Sequence, residues 1–267
     1  MGERSWMAVP RDALANFGEI AKFAGRIMGQ VYSLRVLKFG GEALRQAGVL
    51  ILSSTIVIWA LVFIIGLQCG IEGAYFTRSV GAPAYSGVFS AWCDLRELVP
   101  YGFGYMMAAK VGTGIVAELG SMRISDEIDA LEVMGIDSVL FLCATRLTAA
   151  WLVLPFLYMA SIGAGFFASY LAVVQQIAEV SSGGFFLIFW MFQNPTDFVY
   201  SVIKAMFMAT AVVLVGCYYG YNAGGGPVGV GTATAKSMVL NLVLVHLIGM
   251  LGTQLFWGAN PRAPIGG

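Results

Sequence analysis

The chain has 267 residues, of which 58 % are hydrophobic and only 11 % are charged. Soluble domains carry about 25 % charged residues, so this composition excludes an ordinary water-soluble enzyme. The 15 basic and 15 acidic residues cancel, and a net charge of zero leaves no excess of positive charge for binding a nucleic acid.

The charges are unevenly distributed along the chain. Residues 1–45 hold 11 of the 30 charges, and residues 110–146 hold nine. Windows without a charge cover 46–71, 147–178, 205–235 and 237–261. Each window exceeds the ~20 apolar residues that a transmembrane helix needs, and a helix satisfies its own backbone in lipid. The pattern predicts an all-α integral membrane protein.

The first 45 residues differ from the rest of the chain. Apolar residues recur at helical spacing from Leu14 to Leu34, with arginine and lysine among the polar positions. This pattern predicts an amphipathic helix in the membrane interface. The alternative is a solvated helix that packs on a soluble domain. We assign residues 1–45 to a cytoplasmic or interfacial helical region.

Five transmembrane helices are predicted in a membrane domain of residues 46–258. Seven basic residues precede the first span, which predicts a cytoplasmic N-terminus and, after five crossings, an external C-terminal tail at 259–267. The apolar stretch 180–195 is too short to span and indicates an interfacial or re-entrant piece. A glycine-rich loop is expected at 224–231. The spans are 46–68, 86–120, 143–174, 198–222 and 236–258.

A strongly acidic segment follows the second span. Ser125 suits an N-cap, Asp126 and Glu127 suit the first turn, and Gly135 suits a helix stop. The predicted helix covers 125–134 on the cytoplasmic side. Its apolar residues are Ile128, Leu131 and Met134, with Asp129 and Glu132 on another side. A solvated connector is one interpretation, but an acidic helix is poorly placed beside anionic headgroups, which favours a protein-docking surface.

The second span contains adjacent charges, Arg96 and Glu97. Ionisable residues inside a membrane usually face a cavity or each other. Neighbours in sequence point in different directions on a helix, so these two cannot form a simple facing pair. The partner could be Asp94, another helix or a lipid headgroup. Alternatively, the span begins after Pro100 and both residues lie at the outer interface.

The chain carries no recognisable nucleotide site of its own. GTATAKS (231–237) fails the phosphate-loop pattern, because Val230 and Ala235 replace its two glycines. The single His246 is expected to be a packed or hydrogen-bonded helix residue rather than a metal ligand.

Several motifs occur in order: LRELVP (95–100), AAKVGTGIVAELGSM (108–122), EIDALEVMGID (127–137), then Arg146 and GYNA (220–223). The series resembles the MlaE/YrbE family of ABC-transporter permeases. The phrase EIDALEVMGID is typical of the YrbE permeases of actinobacterial Mce (mammalian cell entry) systems. The resemblance implies the same architecture, namely an interfacial helix, five transmembrane helices and a short cytoplasmic coupling helix.

The resemblance also implies a function and partners. The chain would be the permease subunit of a lipid transporter in the plasma (inner) membrane, paired with a second permease that is a paralogue or a copy of itself. A cytoplasmic ABC ATPase dimer would hold ATP and Mg, and MCE-domain proteins would lie outside. An Mce system would import lipid, with fatty acids, mycolic-type lipids and sterols as candidate substrates. No cofactor or metal is expected in this chain.

Two sets of site residues follow from the resemblance. Lys110 stands where many members have arginine, which keeps the charge but not bidentate phosphate binding. The coupling helix comprises Ser125, Asp126, Glu127, Ile128, Asp129, Ala130, Leu131, Glu132 and Met134, and the lipid cavity contains Arg96, Glu97, Lys110 and Lys204.

Two other functional classes remain as alternatives. An ion-coupled secondary transporter of a hydrophobic substrate would use buried carboxylates near the membrane midplane or inverted repeats. An intramembrane lipid enzyme would need a cluster of His, Asp and Glu at the interface. The sequence has no clear repeat and one histidine.

Overall fold

A computed structural model describes residues 8–259, and within that range the chain is almost entirely helical and contains no strand. The predicted all-α architecture is confirmed. The described α-helices are α1 (Ala8–Tyr32), α2 (Gly40–Ser79), α3 (Ser86–Trp92), α4 (Val99–Met106), α5 (Thr113–Ile124), α6 (Glu127–Val133), α7 (Thr145–Tyr170), α8 (Ser182–Met191), α9 (Pro195–Tyr221) and α10 (Gly226–Trp257).

Four π-helical turns and two short 3₁₀ turns connect these helices. The 3₁₀ turns, Arg35–Phe39 and Pro83–Tyr85, precede α2 and α3. A π turn inserts an extra residue and redirects the side chains around it, and such turns are frequent at functional sites. Two of the four carry the intramembrane charges that the sequence singled out. The π turns are Cys93–Leu98, Met107–Gly112, Leu140–Ala144 and Leu171–Ile177.

The bundle has two distinct ends. At one end, Phe23 of α1 packs edge-on against Tyr218, and Gln30 of α1 donates a 2.8 Å hydrogen bond to Asp137, which follows α6. At the other end, Tyr170 of α7 packs against Phe185 of α8. We call these the α1 end and the α8 end.

Four described segments are long and apolar enough to cross a membrane: Arg35–Ser79, Leu140–Ile177, Pro195–Tyr221 and Gly226–Trp257. They contain, to within one residue at the C-terminal ends, four of the five predicted spans.

The remaining predicted span lies in the helical segment 86–124, which carries several charges. This segment also runs from one end of the bundle to the other. At the α8 end, Trp92 donates a hydrogen bond to the Phe192 carbonyl. Towards the α1 end, Glu118 pairs with Arg146. Within residues 8–259, five helical segments therefore traverse the bundle.

Small residues set the closest approaches between helices. A Cβ atom added to Gly70 of α2 would lie 2.8 Å from the Ser169 carbonyl oxygen and 2.9 Å from the Ala172 Cβ of the neighbouring segment. Where α9 contacts the π turn Met107–Gly112, a Cβ on Gly216 would lie 3.1 Å from the Gly112 carbonyl oxygen. Backbones in membrane bundles come this close only where side chains are absent or small.

The predicted glycine-rich loop is wrong. The glycine-rich segment 224–231 is mostly helical, because α10 begins at Gly226. Pro227 lies in the first turn, where backbone N–H groups have no partner within the helix, so its missing N–H costs no hydrogen bond. The boundary at residue 45 falls inside α2, whose 40 residues extend about 60 Å. The short apolar helix α8 occupies most of the stretch 180–195. Residues 1–7 and 260–267, including most of the predicted tail, lie outside the described residues.

We predict that Gly70→Val lowers the stability of the protein by about 1–3 kcal/mol, because the added atoms meet the backbone of the helix packed against α2. Gly48→Val in the same helix is the matched control, since a Cβ there has no atom within 4 Å. Thermal unfolding of both variants in one detergent measures the difference. Equal melting temperatures would contradict close α2–α7 packing as a source of stability.

Candidate functional site

A cavity of about 570 Å³ opens at the α8 end of the bundle. One wall is polar and is formed by Arg96, Glu97 and Thr253. The rest of the lining is mainly aromatic and aliphatic, and includes Phe76, Val80, Val88, Phe89, Trp92, Phe192 and Trp257. Its size falls within the usual range of small-molecule pockets, and its lining matches an amphiphile better than a polar solute.

Arg96 forms a buried ion pair with Asp197 of α9. The guanidinium Nη2 lies 2.7 Å and Nε lies 3.1 Å from Asp197 Oδ2, and both side chains are almost inaccessible. Trp257 Nε1 donates a 2.9 Å hydrogen bond to the other carboxylate oxygen. The guanidinium also lies 4.3 Å from the ring centre of Trp92. The charge of Arg96 is therefore compensated before any ligand enters.

Glu97 pairs with Lys204, which lies two turns beyond Asp197 on α9. The Lys204 Nζ lies 3.0 Å from Glu97 Oε2, 2.8 Å from the Arg96 carbonyl oxygen and 2.7 Å from Thr253 Oγ1. Thr253 in turn donates a 2.7 Å hydrogen bond to Glu97 Oε1. Lys204 is fully buried, whereas the Glu97 side chain is 36 % exposed. Glu97 thus carries the accessible charge of the polar wall.

The two adjacent charges do not pair with each other, as predicted, and both partners belong to α9. Asp197 was missed because the predicted fourth span began at 198. Its spacing of seven residues from Lys204 places both on one face of a helix, which is the signal that could have found it. The helix continues through Pro100 in the first turn of α4. Arg96 and Glu97 are therefore part of the helical bundle and do not precede it.

Lys110 lies apart from the other three predicted cavity residues. It is exposed and lines a separate cleft with Glu118 and Arg146 towards the α1 end, whereas Arg96, Glu97 and Lys204 form one cluster.

The acidic helix is shorter than predicted. α6 covers Glu127–Val133, whereas the sequence predicted 125–134 with Ser125 as its N-cap. Ser125 instead ends α5, because its hydroxyl donates a 3.0 Å hydrogen bond back to the Ser121 carbonyl. Asp126 takes the N-cap position in a left-handed conformation with φ 59°. Gly135 adopts φ 77°, as expected for a helix stop.

One face of α6 packs on the bundle and the rest is exposed. Ile128 is fully buried and Leu131 is half-buried, but Met134 is exposed, so it does not share the inward face as predicted. Asp129 forms a 2.6 Å ion pair with Arg123. Val133 is 89 % exposed, which makes it the most exposed apolar residue of this helix. The other exposed residues of 126–132 are Asp126, Glu127, Asp129, Ala130 and Glu132.

Glu132 ties α6 to the end of α9. Its carboxylate accepts a 2.7 Å hydrogen bond from Ser138 and a 3.1 Å hydrogen bond from Tyr221. These hydroxyls favour the charged form and lower the pKa of the Glu132 carboxyl below its ordinary value. The contact is therefore complete above that lowered pKa and weakens only when the pH falls through it.

Asp94 and His246 are two further titratable side chains within the helices. Asp94 is fully buried, and no described residue donates a hydrogen bond to its carboxyl oxygens. His246 Nε2 lies 2.9 Å from the Tyr105 hydroxyl and Nδ1 lies 2.8 Å from the Leu242 carbonyl oxygen. His246 is therefore a hydrogen-bonded helix residue, as predicted.

Comparison with known proteins identifies the family. Residues 43–255 match the family described as Permease MlaE. The chain belongs to the MlaE permease family. Together with its apolar helices, this membership makes it a multi-pass membrane protein of that family.

The MlaE family match is accompanied by similar individual proteins. The Intermembrane phospholipid transport system permease protein MlaE of Haemophilus influenzae is 27 % identical over 220 residues, which is 81 % of this chain and 83 % of that protein. A Probable ABC transporter permease protein of Rickettsia bellii is 32 % identical over 162 residues, or 61 % of this chain and 62 % of its own length. Protein TRIGALACTOSYLDIACYLGLYCEROL 1, chloroplastic, of Arabidopsis thaliana is 29 % identical over 217 residues, or 81 % and 59 %. The matched region thus spans less than two thirds of the rickettsial and plant relatives.

We predict that Asp197→Ala destabilises this MlaE-family protein by about 3–5 kcal/mol, because it leaves the Arg96 charge buried without its carboxylate. Glu179→Ala is the control. It removes the carboxylate of the largely exposed Arg78–Glu179 pair, for which about 0–1 kcal/mol is expected. Chemical unfolding of both variants in the same detergent measures the difference. A small and equal loss would contradict a stabilising role for the buried pair.

Proposed function

We propose that this chain is the permease subunit of an ABC-type lipid transporter. The observation that carries the proposal is the apolar cavity at the α8 end, with its single polar wall of Arg96 and Glu97. The hydrocarbon part of a lipid would occupy the aromatic side, and its polar group would meet the polar wall of Arg96, Glu97 and Thr253. Membership of the MlaE permease family and the phospholipid transport system named for the Haemophilus relative support the same assignment.

The orientation follows from the distribution of basic residues. Seven lysines and arginines precede the first predicted span, and α1 and α6 share one end of the bundle. By the positive-inside rule, the α1 end faces the cytoplasm and the α8 end faces outward, in the plasma membrane. After five crossings the C-terminus lies outside. The lipid cavity then opens towards the outer leaflet and α6 towards the cytoplasm.

Energy would come from a partner, because this chain lacks a phosphate-loop pattern. A cytoplasmic ABC ATPase dimer, which holds ATP and Mg, docks on α6, the coupling helix. Its acidic and apolar exposed residues would suit a groove with basic and apolar walls. Movement of α6 would reach the cavity through α9, since Tyr221 contacts Glu132, and Asp197 and Lys204 hold the cavity wall.

The finer assignment is to an Mce-like system that imports lipid. It rests on the phrase EIDALEVMGID at 127–137. In such a system a second YrbE-type permease, a paralogue or another copy, completes the membrane unit. MCE-domain proteins would meet the α8 end and deliver the lipid, which would be a fatty acid, a mycolic-type lipid or a sterol.

One observation favours the alternative of an ion-coupled secondary transporter. Asp94 is a fully buried carboxyl to which no described residue donates a hydrogen bond. Buried carboxyls of this kind occur in proton and sodium pathways. Transport in proteoliposomes separates the two functions. An ABC transporter requires ATP and its ATPase, whereas an ion-coupled transporter works from an imposed proton or sodium gradient.

We predict that Val88→Trp reduces transport of a fluorescent phospholipid or fatty acid by about tenfold, a loss equivalent to ~1.4 kcal/mol of lipid binding, because the indole fills the cavity. Val199→Trp is the control, since Val199 is an exposed residue of α9 that does not line the cavity. Transport is measured with the complete complex in proteoliposomes. Unchanged transport by an assembled Val88→Trp complex would contradict the cavity assignment.

We predict that Val133→Asp releases the ATPase from the complex without lowering the stability of the permease, because Val133 is 89 % exposed on α6. Val228→Asp at the start of α10 is the matched control, since this valine is 82 % exposed. Co-purification in mild detergent and quantification of the ATPase check the prediction. Retention of the ATPase by Val133→Asp, or equal loss from both variants, would contradict docking on α6.

A further inference from the structure

A second cleft, of about 260 Å³, lies towards the α1 end of the bundle. It is formed between α2 and the segment that contains Lys110 and α5, with α7 and α9 contributing Ala149 and Val213. None of its lining residues belongs to the cavity at the α8 end. It is therefore a separate site that the proposed lipid route does not use.

The charges in this cleft do not cancel. Arg146 is buried and is held by Glu118, with 2.7 Å between Nη2 and Oε1, and by the Leu142 carbonyl at 2.8 Å from Nη1. Lys110 is exposed and forms no ion pair with any residue that the structure describes. The cleft thus contains one uncompensated positive charge, and its ligand should carry a negative charge.

The wall opposite Lys110 is amphipathic. Val49 and Leu50 of α2 supply an apolar surface, and Ser53 supplies a hydroxyl. Along the same helix, Leu52 is 87 % exposed and Ile56 is 79 % exposed, which suits a face turned towards lipid hydrocarbon. A ligand with an anionic head and an apolar chain matches this surface better than a free anion does.

Gly112 and Gly114, in one helical segment, show that helix packing leaves the cleft open. Gly112 is closely packed, since an added Cβ would lie 3.0 Å from both Val212 of α9 and Asn241 of α10. Gly114 lines the cleft, and a Cβ there would meet no atom within 4 Å. The segment is pressed against its neighbours on one side and leaves room on the other.

We propose that this cleft binds the phosphate headgroup of an anionic phospholipid. Lys110 would contact the phosphate, the Ser53 hydroxyl would donate to it, and one acyl chain would lie along Val49 and Leu50. The proposal concerns a lipid bound at the opposite end of the bundle from the proposed transport cavity, and it does not require that the chain transports lipid.

Lipid binding by the full-length protein tests this site. The protein is incubated with mixed micelles of phosphatidylglycerol and phosphatidylcholine, and the bound lipid is counted by native mass spectrometry. We expect a preference for phosphatidylglycerol that falls about fivefold in Lys110→Gln, the loss of one lysine contact with an anionic lipid. Gly114→Phe fills the cleft without a backbone clash and should lower binding at least as much.

The controls separate this site from general attraction. Lys236→Gln removes an exposed lysine outside the cleft, and Gly163→Phe adds a ring where a Cβ also has open space. Both should bind phosphatidylglycerol as the wild type does. Equal loss in Lys236→Gln, or full binding by a folded Gly114→Phe, would overturn the proposal.

Inorganic phosphate distinguishes the two sources of the anion. A headgroup site should retain phosphatidylglycerol when millimolar phosphate is added. Displacement of the lipid by phosphate alone would assign the cleft to a free anion and overturn the lipid proposal.

Discussion

The cavity at the α8 end depends on two buried ion pairs that join the π turn Cys93–Leu98 to α9. A charge in a low-dielectric bundle is tolerated when a partner and further hydrogen bonds compensate it. Arg96 has Asp197, and Lys204 has Glu97 and Thr253. These pairs hold the polar wall in place and leave only Glu97 partly accessible. The aromatic surfaces around this wall then define an amphipathic site.

Helix α9 connects the cavity wall to α6. It carries Asp197 and Lys204 near one end and Tyr221 at the other, where the Tyr221 hydroxyl bonds to Glu132 of α6. α9 also approaches the backbone of the π turn Met107–Gly112 closely at Gly216. These contacts at both ends of α9 are the link between α6 and the cavity wall that the proposed ATP-driven function needs.

The segment 86–124 separates the cavity at the α8 end from the cleft that contains Lys110. Its two π turns present charges in different directions, so that Arg96 and Glu97 meet α9 while Lys110 faces the opposite cleft. The same charges lower the hydropathy of the segment, which is why length and composition alone select only four membrane-crossing helices among the described residues. The contacts at its two ends identify the fifth traverse. The charges that line the two clefts therefore lower the hydropathy of a helix that crosses the bundle.

The sequence by itself determined the helical membrane class, the spans, the acidic helix and the family resemblance, because apolar runs and the helix-stop signal at Gly135 are properties of neighbouring residues. It also predicted that Arg96 and Glu97 do not pair with each other. Only the tertiary structure decided their partners, since Asp197 and Lys204 are about a hundred residues away in the chain. It likewise placed Lys110 in its own cleft and made Ser125 the end of α5. These contacts depend on how distant helices pack together, which short-range sequence patterns do not specify.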